Sequence, residues 1–67
     1  MLHWKAIYTV VRPGTKDIRV TDYIDSANPP TSSYINRHWQ KLNTDYTVIN
    51  IDVENVLHVG TIKTEYI

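Results

Sequence analysis

The chain has 67 residues, no cysteine, and seven basic side chains against seven acidic ones, so its formal net charge is zero. Disulfides, thiolate zinc sites and cysteine nucleophiles are therefore excluded, and a single small domain must be stabilised by apolar packing. Zero net charge argues against proteins that hold nucleic acid mainly through phosphates, because these need a basic excess. It also argues against acidic mimics of nucleic acid. We expect residues 1–67 to form one domain.

The sequence has no feature of a secreted or membrane protein. Residues 1–5 contain no apolar run of signal-peptide length, and no segment is long and apolar enough to span a bilayer. The absence of cysteine suits a reducing compartment. We therefore predict a cytoplasmic protein that makes no contact with a membrane.

The first predicted strand, residues 5–12, is a run of β-branched and aromatic residues. Alternation places Tyr8 and Val10 on one face of the strand, and Ile7 and Val11 on the other. Because both faces are fairly apolar, we expect a central strand rather than an edge strand.

A tight turn joins this strand to a second one, residues 18–24. Pro13-Gly14 carries a type II signature, since Pro fixes φ at the first corner and Gly takes positive φ at the second. Matching the apolar faces of the two strands requires an odd-length loop, which places Tyr8 near Val20. Asp22 then points inward, so we expect the second strand to bend, bulge or end by that residue.

Residues 32–42 predict the only helix. Its apolar stripe recurs at a period of 3.6 residues and comprises Tyr34, Ile35, His38, Trp39 and Leu42. Thr31 or Ser32 can cap its first turn through a hydroxyl, and Asn43 is a plausible left-handed residue after its end. A helix this short is marginal alone in water, so the stripe must pack on the sheet.

The third predicted strand, residues 46–53, shows the clearest alternation in the chain. Its inward side chains are Ile49, Ile51 and Val53. A fourth strand, residues 57–64, changes phase across Gly60, which indicates a β-bulge. The hydrophobic register favours a three-residue loop, residues 54–56, between these strands. A two-residue Glu54-Asn55 turn has better turn chemistry but would bring His58 inward.

The predicted order is strand, strand, helix, strand, strand. Two antiparallel hairpins that form one four-stranded antiparallel sheet, with the helix across one face, bury both apolar patterns. The fold class is therefore α+β.

No constellation of residues predicts catalysis, a metal or a cofactor. The three histidines, His3, His38 and His58, lie on different elements and lack the spacing of metal ligands. No Gly-x-Ser-x-Gly elbow occurs. Asp22 and Asp25 could face a common site, although both border a loop. We predict that the protein is not an enzyme.

The densest basic group surrounds the first turn. Arg12, Lys16 and Arg19, with Tyr23 nearby, could grip a nucleic acid backbone and stack one base. Two aspartates dilute this group. A small nucleic-acid-binding protein is therefore the alternative function.

The leading prediction is a non-enzymatic protein-binding module. The sheet face that the helix leaves uncovered is predicted to carry Ile7, Val11, Tyr46 and Val48. These groups need a cover: a second copy in a homodimer, a different protein, or a terminal segment such as residues 66–67. Arg37 and Lys41, one helical turn apart, would suit an acidic partner.

In size, absence of cysteine and element order, the chain resembles the small inhibitors that bacteriophages encode against host systems, anti-CRISPR proteins among them. The segments that carry this resemblance are residues 5–10, the helix at 34–42, and residues 48–51. They are patterns of a fold and not motifs. The resemblance implies a viral protein that binds a host protein and blocks it. The chain lacks the strong acidity of the DNA-mimicking members.

Overall fold

The computed structural model describes residues 1–67. Its elements are β1 (Leu2–Val11), β2 (Ile18–Ser26), α1 (Ser32–Gln40), β3 (Thr47–Val56) and β4 (Lys63–Tyr66). The four strands form one antiparallel sheet in the order β3-β1-β2-β4, and α1 packs on one face. The predicted α+β class and element order are confirmed. The single helix is too short to cross a bilayer.

The turn between β1 and β2 has the predicted chemistry. Gly14 has φ of 81°, and the Thr15 amide donates to the Arg12 carbonyl at 3.4 Å. In the resulting register Tyr8 pairs with Val20, as the apolar pattern predicts. The predicted central position of β1 is also confirmed, since β1 lies between β2 and β3.

The expectation that β2 bends, bulges or ends by Asp22 is wrong. β2 continues in unbroken register with β1 as far as Ser26. Asp22 does point inward, but its carboxylate accepts hydrogen bonds from the Tyr8 hydroxyl at 3.2 Å and from the Tyr23 amide at 2.8 Å. These bonds offset the cost of an inward polar group, so the strand need not end there.

The helix begins as predicted but ends earlier. Thr31 is the N-cap, and its hydroxyl accepts from the Tyr34 amide at 3.1 Å. The last helical residue is Gln40, and the amides of Leu42 and Asn43 both donate to the Trp39 carbonyl. Asn43 is not left-handed, because these bonds turn the chain without a residue at positive φ.

A bulge in β3 reverses the alternation that the sequence suggests. Ile7 pairs with Asp52 but Thr9 pairs with Ile49, so β3 holds one residue more than β1 between these pairs. Asn50 occupies the bulge with φ of 54°. Asn is the side chain, after glycine, that best tolerates this left-handed conformation.

Three side chains lie on the face opposite to the one predicted, because of the bulge. Ile49 lies on the face opposite α1 and is 42% exposed, whereas Val48 is buried at 5%. Tyr46 and Val48, predicted on the uncovered face, both belong to the helix-side core. Ile51 and Val53 pack against that core, as predicted.

The predicted hairpin of the third and fourth strands does not form. Residues 54–56 continue β3 along β1, where Val56 pairs with His3, and β4 pairs with β2 at the other edge of the sheet. A β3 of ten residues matches the ten residues of β1, so pairing continues where a turn was expected. Residues 57–62 are therefore a connection and not a strand.

This connection passes the sheet face opposite α1, which we call the second face. Register places Tyr23 on that face, opposite Lys5. A Cβ on Gly60 would lie 2.7 Å from Cζ of the Tyr23 ring. Gly60 is thus explained by close approach to this ring and not by a bulge in a strand.

The core lies between α1 and the β1–β3 half of the sheet. Its buried apolar side chains are Ala6, Tyr8, Val10, Val20, Ile35 and Val48. Asn36 fixes the helix over the sheet edge, since its Oδ1 accepts from the Val48 amide at 2.8 Å. Because β3 is an edge strand, this bond also satisfies an amide that would otherwise be open for pairing.

Candidate functional site

A cleft of about 320 Å³ opens between α1 and β2, because α1 packs beside β3 and its Trp39 contacts Tyr8 of β1. We call it the α1–β2 cleft. It is lined by Tyr8, Asp22, Tyr23, Ile24, Asp25, Tyr34, Ile35 and His38. Both aspartates that the sequence suggested for a common site border the cleft, but Asp22 points toward α1, whereas Asp25 pairs with His3 on the second face. A second depression of about 240 Å³, over residues 28–31, shares Ile24, Asp25 and Tyr34 with it.

A chain of hydrogen bonds runs from the helix to the floor of the α1–β2 cleft. Trp39 Nε1 donates to the Tyr8 hydroxyl at 3.0 Å, and that hydroxyl donates to Asp22 Oδ2 at 3.2 Å. The Trp39 ring also packs edge-on against the rings of Tyr8 and Tyr46, with centroids 6.4 and 5.6 Å away. The orientation of Asp22 is therefore set by two large aromatic groups.

Burial raises the pKa of Tyr8 from 10.0 to about 12. The hydrogen bond from Trp39 opposes this rise in pKa, and the negative charge of Asp22 adds to it. The Tyr8 hydroxyl is consequently protonated at neutral pH and serves as a donor to the carboxylate.

The Asp22 carboxylate has no cationic partner. The basic and acidic side chains that lie within 4 Å of each other are His3 with Asp25, at 2.7 Å, and Lys63 with Glu65, at 3.5 Å. Each oxygen of Asp22 accepts one hydrogen bond from a neutral donor. The α1–β2 cleft therefore contains a fixed negative charge that no basic side chain of this chain neutralises.

The three histidines do not meet. His3 pairs with Asp25, His38 lies on α1 with its ring edge-on to Trp39, and His58 is exposed in the β3–β4 connection. No three histidine, aspartate or glutamate side chains lie close enough to hold a metal ion.

The predicted basic group is divided between the two sides of the sheet. Arg12 lies over the Tyr46 ring, 5.5 Å from its centroid, on the helix side. Arg19 pairs with Thr9 and Glu65, which places it on the second face. Lys16 lies in the exposed turn. On the helix, Arg37 and Lys41 are both exposed.

The second face and the β3–β4 connection carry several partly or fully exposed apolar side chains. Ile7 and Val11 lie on this face, as predicted, and are half-buried. The more exposed members are Ile49 at 42%, Leu57 at 85%, Val59 at 52% and Ile62 at 55%. Tyr66, predicted as a cover together with Ile67, does not lie on this face. Tyr66 pairs with Ile18, so it belongs to the helix side, and it is 75% exposed.

Sequence reasoning missed two features of these sites. The contact of Tyr8 with Trp39 joins residues 31 positions apart, so no local pattern shows it. The alternation of side chains along the first two strands could have indicated it, because this alternation places both Tyr8 and Asp22 on the face toward the helix. The exposed connection was missed because its apolar residues resemble a strand.

No family model, curated protein or solved structure matches this chain.

Proposed function

We propose that this chain is a non-enzymatic module that binds another protein. The observation that carries this is the exposure of Leu57, Val59 and Ile62 in one short connection. Folded monomers rarely expose several large apolar side chains within one surface region unless they bind something there. Burial of these groups by a partner would contribute favourable free energy in proportion to the apolar area covered.

The charge distribution favours a protein partner over nucleic acid. Net charge is zero, and Arg12 and Arg19 lie on opposite sides of the sheet. A phosphate backbone would reach only part of the basic group from either side, so the gain from counterion release would be small.

Two features support a role without catalysis. The Tyr8 hydroxyl is protonated and already engaged as donor and acceptor, so it is not poised as a nucleophile or base. The hydroxyl of Ser26 accepts from the Asn28 amide and serves a turn. Neither contact pairs a nucleophile with a base.

We infer a foreign protein, rather than a second copy, as the partner. The homodimer prediction used Ile7, Val11, Tyr46 and Val48, and two of these side chains lie in the core. A module of this kind acts as an inhibitor if it covers a functional surface of its partner. The lack of cysteine suits action in the cytoplasm, the host cytoplasm if the protein is viral.

The test is capture from a lysate of the native host by the immobilised protein, with quantitative mass spectrometry. The double variant Leu57→Asp/Ile62→Asp should lose a protein that the wild type retains. Thr61→Asp is the matched control, because it adds charge to the same exposed connection without removing an apolar group. It should retain the partner.

Two results would contradict the proposal. One is capture of the same proteins by all three forms. The other is a gel shift in which nucleic acid binds at submicromolar concentration and dissociates steeply with added salt. Light scattering on the wild type addresses the homodimer, and a monomeric mass at high concentration excludes it.

A further inference from the structure

We propose that the α1–β2 cleft receives an arginine side chain of the partner protein, with its guanidinium on the carboxylate of Asp22. This inference rests on the proposed protein-binding function and names the chemistry of one contact. The α1–β2 cleft borders the exposed β3–β4 connection at Tyr23, but Asp22 itself lies on the side of the sheet that faces α1.

The charge of the cleft favours a cationic ligand. Asp22 is a partly buried carboxylate that lines the cleft, and it has no basic side chain within ion-pair distance. Both hydrogen bonds to this carboxylate come from neutral donors, so an incoming cation would add the stronger, charge-assisted kind of hydrogen bond. The cleft therefore selects a positive group.

The hydrogen bonds of Asp22 favour a guanidinium over an ammonium group. Its two oxygens each accept one bond, from the Tyr8 hydroxyl and the Tyr23 amide, so each keeps an acceptor site. Two free sites on adjacent oxygens match the paired N–H groups of a guanidinium better than a single ammonium. Arginine is thus favoured over lysine.

The size and the walls of the cleft suit an arginine side chain. Its volume of about 320 Å³ is at the small end of ligand pockets, which span roughly 300 to 1,000 Å³. One long side chain suits such a space. Ile24 offers an apolar surface for the methylene stem, and the ring of Tyr34, on the helix wall, is 55% exposed and free to stack on a guanidinium.

The Asp22 carboxylate is preorganised for binding. The bonds from Trp39 to Tyr8 and from Tyr8 to Asp22 hold the carboxylate in place before any ligand arrives. Every buried polar side-chain atom of the protein already has a partner, so the site need not rearrange to bind. A fixed receptor group loses little freedom on binding.

The direct experiment is an NMR titration of the full chain with N-acetyl-arginine amide. N-acetyl-citrulline amide, which has nearly the same shape but no charge, is the matched ligand. The indole N–H of Trp39 is the reporter because it ends the hydrogen-bond chain to Asp22, and the indole of Trp4, bonded to the Ser26 carbonyl, is the internal reference.

The arginine derivative should shift the Trp39 indole and the amides of Asp22 and Tyr23 saturably, with a dissociation constant on the order of millimolar. The citrulline derivative should not. Equal shifts with both ligands, or none with either, would overturn the inference.

Two variants and one charge-matched control localise the contact. Asp22→Asn keeps an acceptor for Tyr8 but removes the charge, and should weaken arginine binding about tenfold or more. Asp52→Asn, on the exposed part of β3, changes the net charge equally and should leave binding unchanged. Tyr34→Leu keeps the helix but removes the exposed ring, and should weaken binding severalfold. If Asp22→Asn folds and binds the arginine derivative with the affinity of the wild type, the inference is overturned.

Partner capture separates the failure of this inference from the failure of the proposed function. If the Leu57→Asp/Ile62→Asp variant loses the partner but Asp22→Asn retains it at wild-type yield, the module binds protein without the arginine contact. If Asp22→Asn also loses it and Asp52→Asn does not, the contact is supported.

Discussion

The two halves of the sheet differ in how much of them the fold buries. The β1–β3 half lies under α1 and contains five of the buried residues, namely Ala6, Tyr8, Thr9, Val10 and Val48. In the β2–β4 half only Val20 is buried, and every residue from 57 to 67 is exposed. The helix is short, nine residues, and covers only one half.

This difference separates stability from recognition. The covered half has the aromatic contacts of Trp39 and most of the buried residues, so it should determine the free energy of unfolding. The open half supplies the cleft and the exposed apolar connection, and substitutions there should change binding more than folding.

The largest effect is expected at Trp39, which contacts Tyr8 and Tyr46. Trp39→Ala removes both edge-on contacts and the donor to Tyr8, and should cost about 3–5 kcal/mol. That is a large share of the stability of a domain this small, so the variant should be mostly unfolded at room temperature. Urea denaturation followed by circular dichroism measures this.

The matched control is Trp39→Phe, which keeps an aromatic ring and loses the N–H donor. It should remain folded with a smaller loss. A melt of Trp39→Ala close to that of the wild type would show that α1 is not held by the covered half.

The second largest effect is expected at high pH, where deprotonation of Tyr8 should lower the free energy of unfolding. The pKa of this group is about 12 in the folded protein and 10.0 as the ordinary value, so the unfolded chain releases the proton first as pH rises. Its contribution is fully present below pH 10 and is lost as pH approaches 12, by about 2–3 kcal/mol. Denaturation curves at a series of pH values measure it.

Tyr8→Phe isolates this contribution, since the two proteins differ only in the Tyr8 hydroxyl. The difference in unfolding free energy between the two should shrink between pH 10 and 12. A constant difference across that range would contradict the raised pKa.

A third, smaller effect is expected at Asn50 in the bulge of β3. Asn50→Ala places a residue with a poor left-handed preference at φ of 54°, and should cost about 1 kcal/mol. Asn50→Gly, the control, accepts this φ and should be close to neutral. Thermal melts of the three proteins suffice, and equal losses for both substitutions would mean that φ is not the cause.

The smallest effect is expected at Tyr66 in β4. This side chain is 75% exposed, so Tyr66→Ser should change stability by no more than about 0.5 kcal/mol. Urea denaturation compares it with the wild type. A loss as large as that at Asn50 would show that the open half contributes more to folding than its burial indicates.

Local patterns in the sequence were sufficient for part of the fold. The period of the helix, the cap at Thr31 and the Pro13-Gly14 turn act over a few residues, and the register of β1 with β2 follows from that turn. The inward position of Asp22 was predicted on the same basis. Its consequence was not, because the Tyr8 hydroxyl that satisfies it belongs to another strand.

The sequence by itself thus determined the α+β class, the order of the elements and the pairing of the first two strands, because each depends on short-range periodicity and turn chemistry. Only the tertiary structure decided the bulge at Asn50, the place of β3 beside β1, and the path of the connection past Tyr23. These depend on which distant strand offers a free edge of matching length. A single inserted residue then reverses every side chain beyond it, and no local pattern reports that choice.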